Sequence, residues 1–508
     1  MTAPTLRSRL LRVLLLFLFL WLVGSPVARA HGGDPETMAL AGALAWGFLA
    51  FGLVVIVAVG WVLFSGQPPT PGSNRAAAFA GQSGFAGYIA KMRMFSRNAR
   101  LYMIHVVGMD VIYGTWMVLF NLYLLAVGFD VAFVGLRILL AAAASAIFAL
   151  PAGIISDRIG RKLSFVLGDG LGAVMSLIAI STSDPTIILV TGFVGGVFGS
   201  LHGVAEPAFM AENSEDFERV HLFSVAGGAR TAAAIIGSAL AGLVPLLFAG
   251  ADGGNLVGLY RTVAYLGIGG WFASLIPAVL LQQSATDRAK APGLRQLFSA
   301  IKHPDRILRL TAPEVLLALG AGFALPLMNV FFSEGLGSSE VEIGATFAAG
   351  QAFLVVGAFL APLLAARLGK VTAVAATRLI AIPFILLIAF SGDVGGALGS
   401  VFTVAGLAHI ARLTFSNMAS PVQAAFAMEI LDPQERGTQV GLQLALAAAL
   451  SGLAGYAGAQ MMAAGNFALP FLLMAVIYLA GILLFWRFFG GKEDSLALSP
   501  VTEPQSAD

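Results

Sequence analysis

The chain contains 508 residues, of which 58% are hydrophobic and 11% charged, and its formal net charge is +2. Soluble domains carry about 25% charged residues, so this composition excludes a soluble enzyme and predicts a polytopic membrane protein. Long apolar runs, in place of alternating short strands, favour an all-α bundle over a barrel. The absence of cysteine excludes disulfides and thiolate chemistry, and the small net charge argues against a nucleic-acid partner.

Residues 1–30 have the features of a secretory signal peptide. Three arginines precede a short apolar run at 13–24, which is followed by the small-residue pattern Ala28-Arg29-Ala30. We expect cleavage before His31, and the alternative is an uncleaved membrane anchor.

Residues 31–64 are predicted to form an extra N-terminal membrane helix, and residues 65–100 a linker. No lysine or arginine separates His31 from this helix, whereas four basic residues follow it between Lys91 and Arg100. The positive-inside rule therefore predicts a periplasmic mature N-terminus and a cytoplasmic linker.

Twelve further membrane helices are predicted in the main body of the chain. They divide into an N-terminal half at 101–282 and a C-terminal half at 311–488, with a cytoplasmic loop at 283–310 between them and a disordered cytoplasmic tail at 489–508. Basic residues cluster at one end of these helices and acidic residues at the other, which predicts a bacterial inner-membrane protein with both ends of the body in the cytoplasm. The predicted spans are 102–127, 132–156, 163–181, 186–210, 222–248, 258–282, 311–333, 341–365, 371–390, 394–418, 438–463 and 467–488.

The two halves repeat the same polar positions at nearly constant displacement. Asn121 and Asn329 differ by 208 positions (329 − 121), and Arg158 and Arg367 differ by 209 (367 − 158). A parallel six-plus-six duplication of this kind builds transporters that carry their binding site between the halves.

The loop between the second and third body helices contains a ten-residue pattern. Gly153, Asp157, Arg158, Gly160, Arg161 and Lys162 occupy the fixed positions of G-x-x-x-D-R-x-G-R-K. This pattern resembles the signature of the major facilitator superfamily, and the resemblance covers about 101–488. It implies a twelve-helix alternating-access transporter in which these residues gate the cytoplasmic side. Contact of the basic residues with anionic lipids is the alternative.

Ionisable residues inside membrane helices are candidate functional groups because burying them there is costly. Asp110 lies within the first body helix. Tyr113, Met117 and Asn121 follow it at spacings of three and four residues, which place all four side chains on one face of the helix. By its position, Asp110 resembles the proton-coupling carboxylate of many superfamily members, and a structural hydrogen bond is the alternative. Further residues assigned to coupling or to the substrate cavity are Arg230, Asn329 and Arg378. For Glu206 and Arg412, near the predicted cytoplasmic ends, a gating or packing pair is as compatible with the sequence as a ligand contact.

A metal hypothesis rests on His105 and Met109, which share a helical face as H-x-x-x-M. With His31 at a cleaved N-terminus, these residues offer ligands for copper. The alternative is ordinary core packing of the methionine and a hydrogen-bonded histidine.

The leading functional hypothesis is a secondary active transporter, not an enzyme, that moves a small solute by alternating access. We expect protons as the coupling ion, with efflux by antiport favoured, in a lipid-surrounded monomer without a cofactor. The chain has no G-x-x-x-x-G-K-[ST] phosphate-binding loop, which argues against ATP-driven transport. The alternatives are a copper transporter and a non-transporting receptor or assembly factor that docks through the extra helix.

Overall fold

A computed structural model describes residues 35–65, 84–248, 255–282, 301–398, 400–418 and 420–491. All regular elements within these ranges are helices, which confirms the all-α class. The predicted signal peptide, His31, most of the central loop and residues 492–508 of the tail lie outside the described residues.

Eight helices cover the chain before the central loop. The first two, α1 and α2, precede six long helices that correspond to the predicted N-terminal half. Their bounds are α1 Pro35–Phe64, α2 Gly84–Met92, α3 Arg97–Val127, α4 Val131–Ile159, α5 Arg161–Ser181, α6 Pro185–Glu212, α7 Asp216–Phe248 and α8 Leu256–Val279.

Eight more helices follow the central loop. They are α9 Pro304–Ala324, α10 Glu340–Leu368, α11 Lys370–Ala389, α12 Ser391–Leu398, α13 Val401–Asn417, α14 Ser420–Ile430, α15 Pro433–Ala463 and α16 Leu469–Phe489. Beyond α9 the chain continues through a 3₁₀ turn at Leu325–Leu327, an α turn at Met328–Val330 and a π turn at Phe331–Gly335. Pro326 lies in the 3₁₀ turn, where its missing N–H interrupts the regular α-helical hydrogen bonds.

Five predicted spans differ from the structure by five residues or more. The fifth begins at Asp216 rather than at 222, and the eleventh begins at Pro433 rather than at 438. The first body helix begins at Arg97 rather than at 102, because the Ser96 side chain accepts a hydrogen bond from the Ala99 amide and caps it. The seventh begins at Pro304 rather than at 311, with proline at its first position. The tenth, predicted as one helix over 394–418, consists of α12 and α13, and Ser400 caps the second piece through the Thr403 amide.

Twelve helices in the described part of the chain are long and apolar enough to cross a membrane. They comprise α1 and eleven of the twelve predicted body helices. The remaining one, α13, is 17 residues long. A helix of that length lies at the lower limit for a span.

The halves pack against each other through α4 with α15 and α7 with α10. Glycine makes both contacts close: a Cβ built on Gly135 would lie 2.2 Å from the Ala459 Cβ, and one on Gly242 would lie 2.9 Å from the Glu340 carbonyl oxygen. Small residues allow membrane helices to approach in this way. The helix α1 lies across the α7–α10 seam, where its residues Ala41, Ala45 and Leu49 join an apolar cluster from both helices.

Candidate transport cavity and its charged network

A cavity of about 410 Å³ lies inside the N-terminal half. The helices α3 to α8 all contribute to its wall, and six of its lining residues are glycines on α5 and α6. Those glycines are Gly168, Gly172, Gly192, Gly195, Gly196 and Gly199. A Cβ on Gly196 would lie 2.3 Å from the Ala141 carbonyl oxygen, so this glycine allows α4 and α6 to approach closely, whereas a Cβ on Gly199 would meet nothing within 4 Å. The remaining wall combines polar and charged side chains with apolar ones, among them Trp116 on α3 and Trp271 on α8.

An ion-pair cluster forms one end of this cavity. The Arg230 Nε lies 3.0 Å from Asp110 Oδ2, and the Arg230 guanidinium also donates to Glu206. These three residues come from α7, α3 and α6. Asp110 is 4% exposed, so its carboxylate depends on Arg230 for charge compensation.

The cluster continues from Glu206 toward two histidines. His202 lies one turn before Glu206, and its Nε2 faces the Glu206 carboxylate at 3.7 Å. The other ring nitrogen of His202 lies 2.8 Å from Asp169 Oδ2, and His105 Nε2 approaches the same oxygen at 2.9 Å. We call the six residues His105, Asp110, Asp169, His202, Glu206 and Arg230 the charged network. It connects α3, α5, α6 and α7 without a break.

The network contains two of the residues selected from sequence for coupling, and the cavity wall contains a third. Asp110 and Arg230 lie in direct contact, and Tyr113 lines the cavity beside them. Asp110 is thirteen residues from the start of α3 (110 − 97), which is about 20 Å along the helix and close to its middle. Met117 is 37% exposed and is not one of the residues that line this cavity.

The candidates in the C-terminal half lie apart from this cavity. Arg378 on α11 forms a two-point pair with Glu314 on α9, at 2.7 and 3.2 Å. Arg412 is 2% exposed, and one of its guanidinium nitrogens lies 3.5 Å from His409 Nδ1.

Asn121 and Asn329 meet at a contact between the halves rather than at the cavity. The Asn121 amide donates to Asn329 Oδ1 at 3.0 Å and to the Pro326 carbonyl at 2.9 Å. Asn329 in turn donates to the Val118 carbonyl at 2.9 Å. Pro326 lies three positions before Asn329, and Val118 lies three positions before Asn121, so the two amides make equivalent bonds to opposite halves. This equivalence agrees with the internal repeat. We call these three bonds the asparagine latch.

The latch lies at the acidic end of the bundle, which we define by Asp130, Asp184 and Glu340 at the starts of α4, α6 and α10. Tyr260 on α8 donates to the Glu340 carboxylate and adds a further hydrogen bond between the halves at this end. The opposite, basic end carries the loop pattern at 153–162.

Within the loop pattern, Arg161 is the central residue. Its Nη1 lies 2.6 Å from Asp157 Oδ1, and its Nε and Nη2 both lie 3.1 Å from Glu212 Oε1 at the end of α6. Arg158 is exposed, and Gly160 ends α4 at a positive φ of 89°. The equivalent position in the second half repeats this pairing, because Lys370 forms an ion pair with Glu429.

Three residues of the site were not selected from sequence as candidates. Asp169 and His202 are parts of the network, and Arg137 lines the cavity with its guanidinium carbon 4.1 Å from the Phe120 ring centroid. Asp169 had a usable signal, since it is a lone acid within an apolar helix. The spacing of His202 and Glu206, one helical turn apart, was a second signal.

A bundle of repeated helices that encloses a charged cavity is the architecture of a membrane transporter. Residues 106–455 match the family model described as Major Facilitator Superfamily. The chain therefore belongs to the Major Facilitator Superfamily, which confirms the resemblance seen in the loop pattern.

Solved structures of transporters share this fold at low sequence identity. The nucleoside transporter NupG aligns with a TM-score of 0.62 at 14% identity, over 78% of this chain and 100% of its own. A bacterial homologue of the iron transporter ferroportin, in an inward-facing state, aligns at 0.62 and 15%, over 77% and 98%. A D-xylose-proton symporter aligns at 0.57 and 17%, over 79% and 98%. No curated protein sequence matches the chain.

Proposed function

We propose that this protein is a proton-coupled secondary transporter that moves a small solute by alternating access of its two halves. The observation that carries the proposal is the ion pair between Asp110 and Arg230 at the wall of the 410 Å³ cavity. A buried carboxylate that faces a cavity can exchange a proton and a solute at one place, which is what coupling requires.

Asp110 is the proposed proton carrier. As a carboxylate it holds Arg230 together with Glu206, and the two acids share one guanidinium. Protonation of Asp110 removes its charge, so the pair with Arg230 weakens and the guanidinium turns fully to Glu206. Because Asp110 and Arg230 lie on α3 and α7, this change alters the contact between two helices of the same half.

The asparagine latch supports the alternating-access part of the proposal. It joins the halves at the acidic end, which the positive-inside rule assigns to the periplasm. With that orientation the described state is closed toward the periplasm, and both ends of the twelve-helix body are cytoplasmic. The helix α1 is then an additional membrane helix that follows a cleaved signal peptide. Efflux in exchange for protons is the direction that we favour.

The absence of native cysteine makes this proposal directly testable with spin labels. One cysteine pair at Thr186 and Ala464 reports the acidic end, and a second pair at Val220 and Ala366 reports the basic end. All four positions are exposed. In lipid nanodiscs, electron–electron distance distributions at acidic and at alkaline pH should change in opposite senses for the two pairs.

The variant Asp110→Asn should remove this pH response, because an amide at this position cannot gain or lose the proton. Asp393→Asn is the matched control, since Asp393 is exposed at the acidic end. Distances that respond to pH equally in wild type and Asp110→Asn would refute proton coupling through Asp110. Distances that never change in opposite senses would refute alternating access.

A further inference from the structure

Three metal-ligating side chains meet at the wall of the cavity. His105 on α3, Asp169 on α5 and His202 on α6 each offer one ligand atom, and these atoms all lie within 4.8 Å of one another. Both imidazoles point a nitrogen at the same carboxylate, at 2.9 and 2.8 Å. Three ligands from three different helices converge here within one half of the bundle.

The second ring nitrogen of each histidine, which does not face Asp169, also has the surroundings typical of a metal ligand. His105 Nδ1 lies 2.9 Å from the Ser274 carbonyl oxygen, which orients the ring and directs Nε2 toward Asp169. His202 Nε2 faces Glu206 at 3.7 Å, and this nitrogen is buried without a hydrogen-bond partner in the described residues. A carbonyl or carboxylate behind each ligating imidazole is the usual outer shell of a metal site.

The cluster is shielded from lipid and open to the cavity. His105 is 0% exposed, Asp169 2% and His202 6%. Asp169 and His202 also line the 410 Å³ cavity, so an ion that enters the cavity meets two of the three ligands directly.

A divalent cation would balance the charges of the network. Asp110, Asp169 and Glu206 contribute three negative charges, whereas Arg230 contributes one positive charge. Imidazole binds a metal through its neutral form. The six-residue network with neutral histidines therefore carries two uncompensated negative charges, which are costly inside a membrane protein.

We propose that His105, Asp169 and His202 bind a divalent first-row transition-metal ion. Two imidazole nitrogens and one carboxylate oxygen are a borderline ligand set that suits Zn²⁺ and its neighbours rather than Mg²⁺ or Ca²⁺. The cavity side of the ion stays available to water or to a solute. This inference concerns binding alone and does not depend on which solute is transported.

A second group of potential ligands at the basic end needs a separate control. His303, Asp432 and Glu435 also lie within reach of one another. However, Glu435 Oε1 accepts hydrogen bonds from the backbone amides of Lys302 and His303, both at 2.6 Å, so it caps the start of α9. That oxygen already has two backbone partners that fix it at the start of α9, and we assign no metal to this group.

The test is metal binding to the detergent-purified full chain, prepared without a polyhistidine tag. Titration calorimetry with Zn²⁺ should give one site per chain, and X-ray absorption should show imidazole scattering with Zn–N distances of about 2.0–2.1 Å. Asp169→Asn and His202→Gln should each weaken binding by roughly 100-fold or more, because changes in the outer shell alone cost about 10–100-fold. Glu206→Gln, which replaces no proposed ligand but changes the group behind His202, should fall within the latter range.

Two histidine variants are controls. His409→Gln removes a buried histidine of the other half, and His303→Gln tests the group at the basic end; neither should change the affinity. Wild-type protein that binds no Zn²⁺ would overturn the proposal, whatever the variants do. Binding without imidazole scattering, or binding lost in His303→Gln but retained in Asp169→Asn, would overturn it as well. None of these outcomes alters the test of Asp110 by distance measurement.

Discussion

Removal of the Asn121 amide should open the acidic end of the transporter. Asn121→Ala eliminates two hydrogen bonds between the halves, one to the Pro326 carbonyl and one to Asn329 Oδ1. Asn329 keeps its own bond to the Val118 carbonyl. The variant thus weakens the asparagine latch without removing it.

The size of the effect follows from the number of bonds that are lost. A hydrogen bond contributes about 1 kcal/mol net, so two bonds amount to about 2 kcal/mol, or roughly thirtyfold in the equilibrium between closed and open states. If the acidic end is open in about 1% of molecules, the variant should raise that fraction to roughly a quarter. Such a population is large enough to be resolved in a distance distribution.

The spin-label pair at Thr186 and Ala464 is the appropriate reporter, since both positions lie at the acidic end of the bundle. The distribution for Asn121→Ala should gain a longer component that is absent from the parent. Asn417→Ala is the matched control, because the Asn417 amide donates to the Leu413 carbonyl within its own helix. An unchanged distribution in Asn121→Ala, or an equal change in Asn417→Ala, would refute the assignment of the latch.

Two glycine substitutions test the packing that positions the cavity and α1. Gly237→Ala should lower the free energy of unfolding by about 1–3 kcal/mol, because its Cβ would lie 2.0 Å from the Val111 carbonyl oxygen. Gly227→Ala, in the same helix, is the control. Its Cβ meets open space, so the melting temperature should stay equal or rise. Gly52→Val should weaken the packing of α1 on α7 and lower the melting temperature, because a Cβ there would lie 2.7 Å from a side-chain carbon of Ile236. Gly60→Val, with nothing within 4 Å, should leave the melting temperature unchanged. Equal behaviour of the two members of either pair would contradict the packing described here.

The sequence was sufficient for the helices because a membrane span leaves a long apolar run. Most predicted ends agree with the structure within a few residues, since the charged residues that follow each run stay outside the apolar layer. The prediction of one continuous tenth helix was wrong for a local reason. The apolar run crosses the glycine-rich segment at 392–398, and Ser400 caps a new helix after it. A hydropathy pattern does not distinguish one continuous helix from two helices that share an apolar run.

The site was predictable only in part. An intramembrane acid and an intramembrane arginine selected Asp110 and Arg230, and the structure brings them within 3.0 Å. The partners of His105 were not predictable, because Asp169 is 64 positions away and reaches it only through the packing of α5 against α6 and α8. The internal repeat predicted that Asn121 and Asn329 are equivalent, but their contact with each other required the structure.

The internal repeat also explains why only one half carries the proposed metal site. His105 and Asp169 correspond to Glu314 and Arg378, both at a displacement of 209 positions (314 − 105 and 378 − 169). Each pair joins the first and third helices of its half, but the charges are reversed. In the C-terminal half the guanidinium takes both oxygens of Glu314 in a two-point pair, and a guanidinium cannot ligate a cation. The Arg378–Glu314 pair therefore joins two helices and compensates its own charges. In the N-terminal half the corresponding pair is an imidazole and a carboxylate, and the carboxylate, Asp169, lines the cavity. Exchanging Glu314 and Arg378 for glutamine and methionine should consequently affect stability but leave Zn²⁺ affinity unchanged.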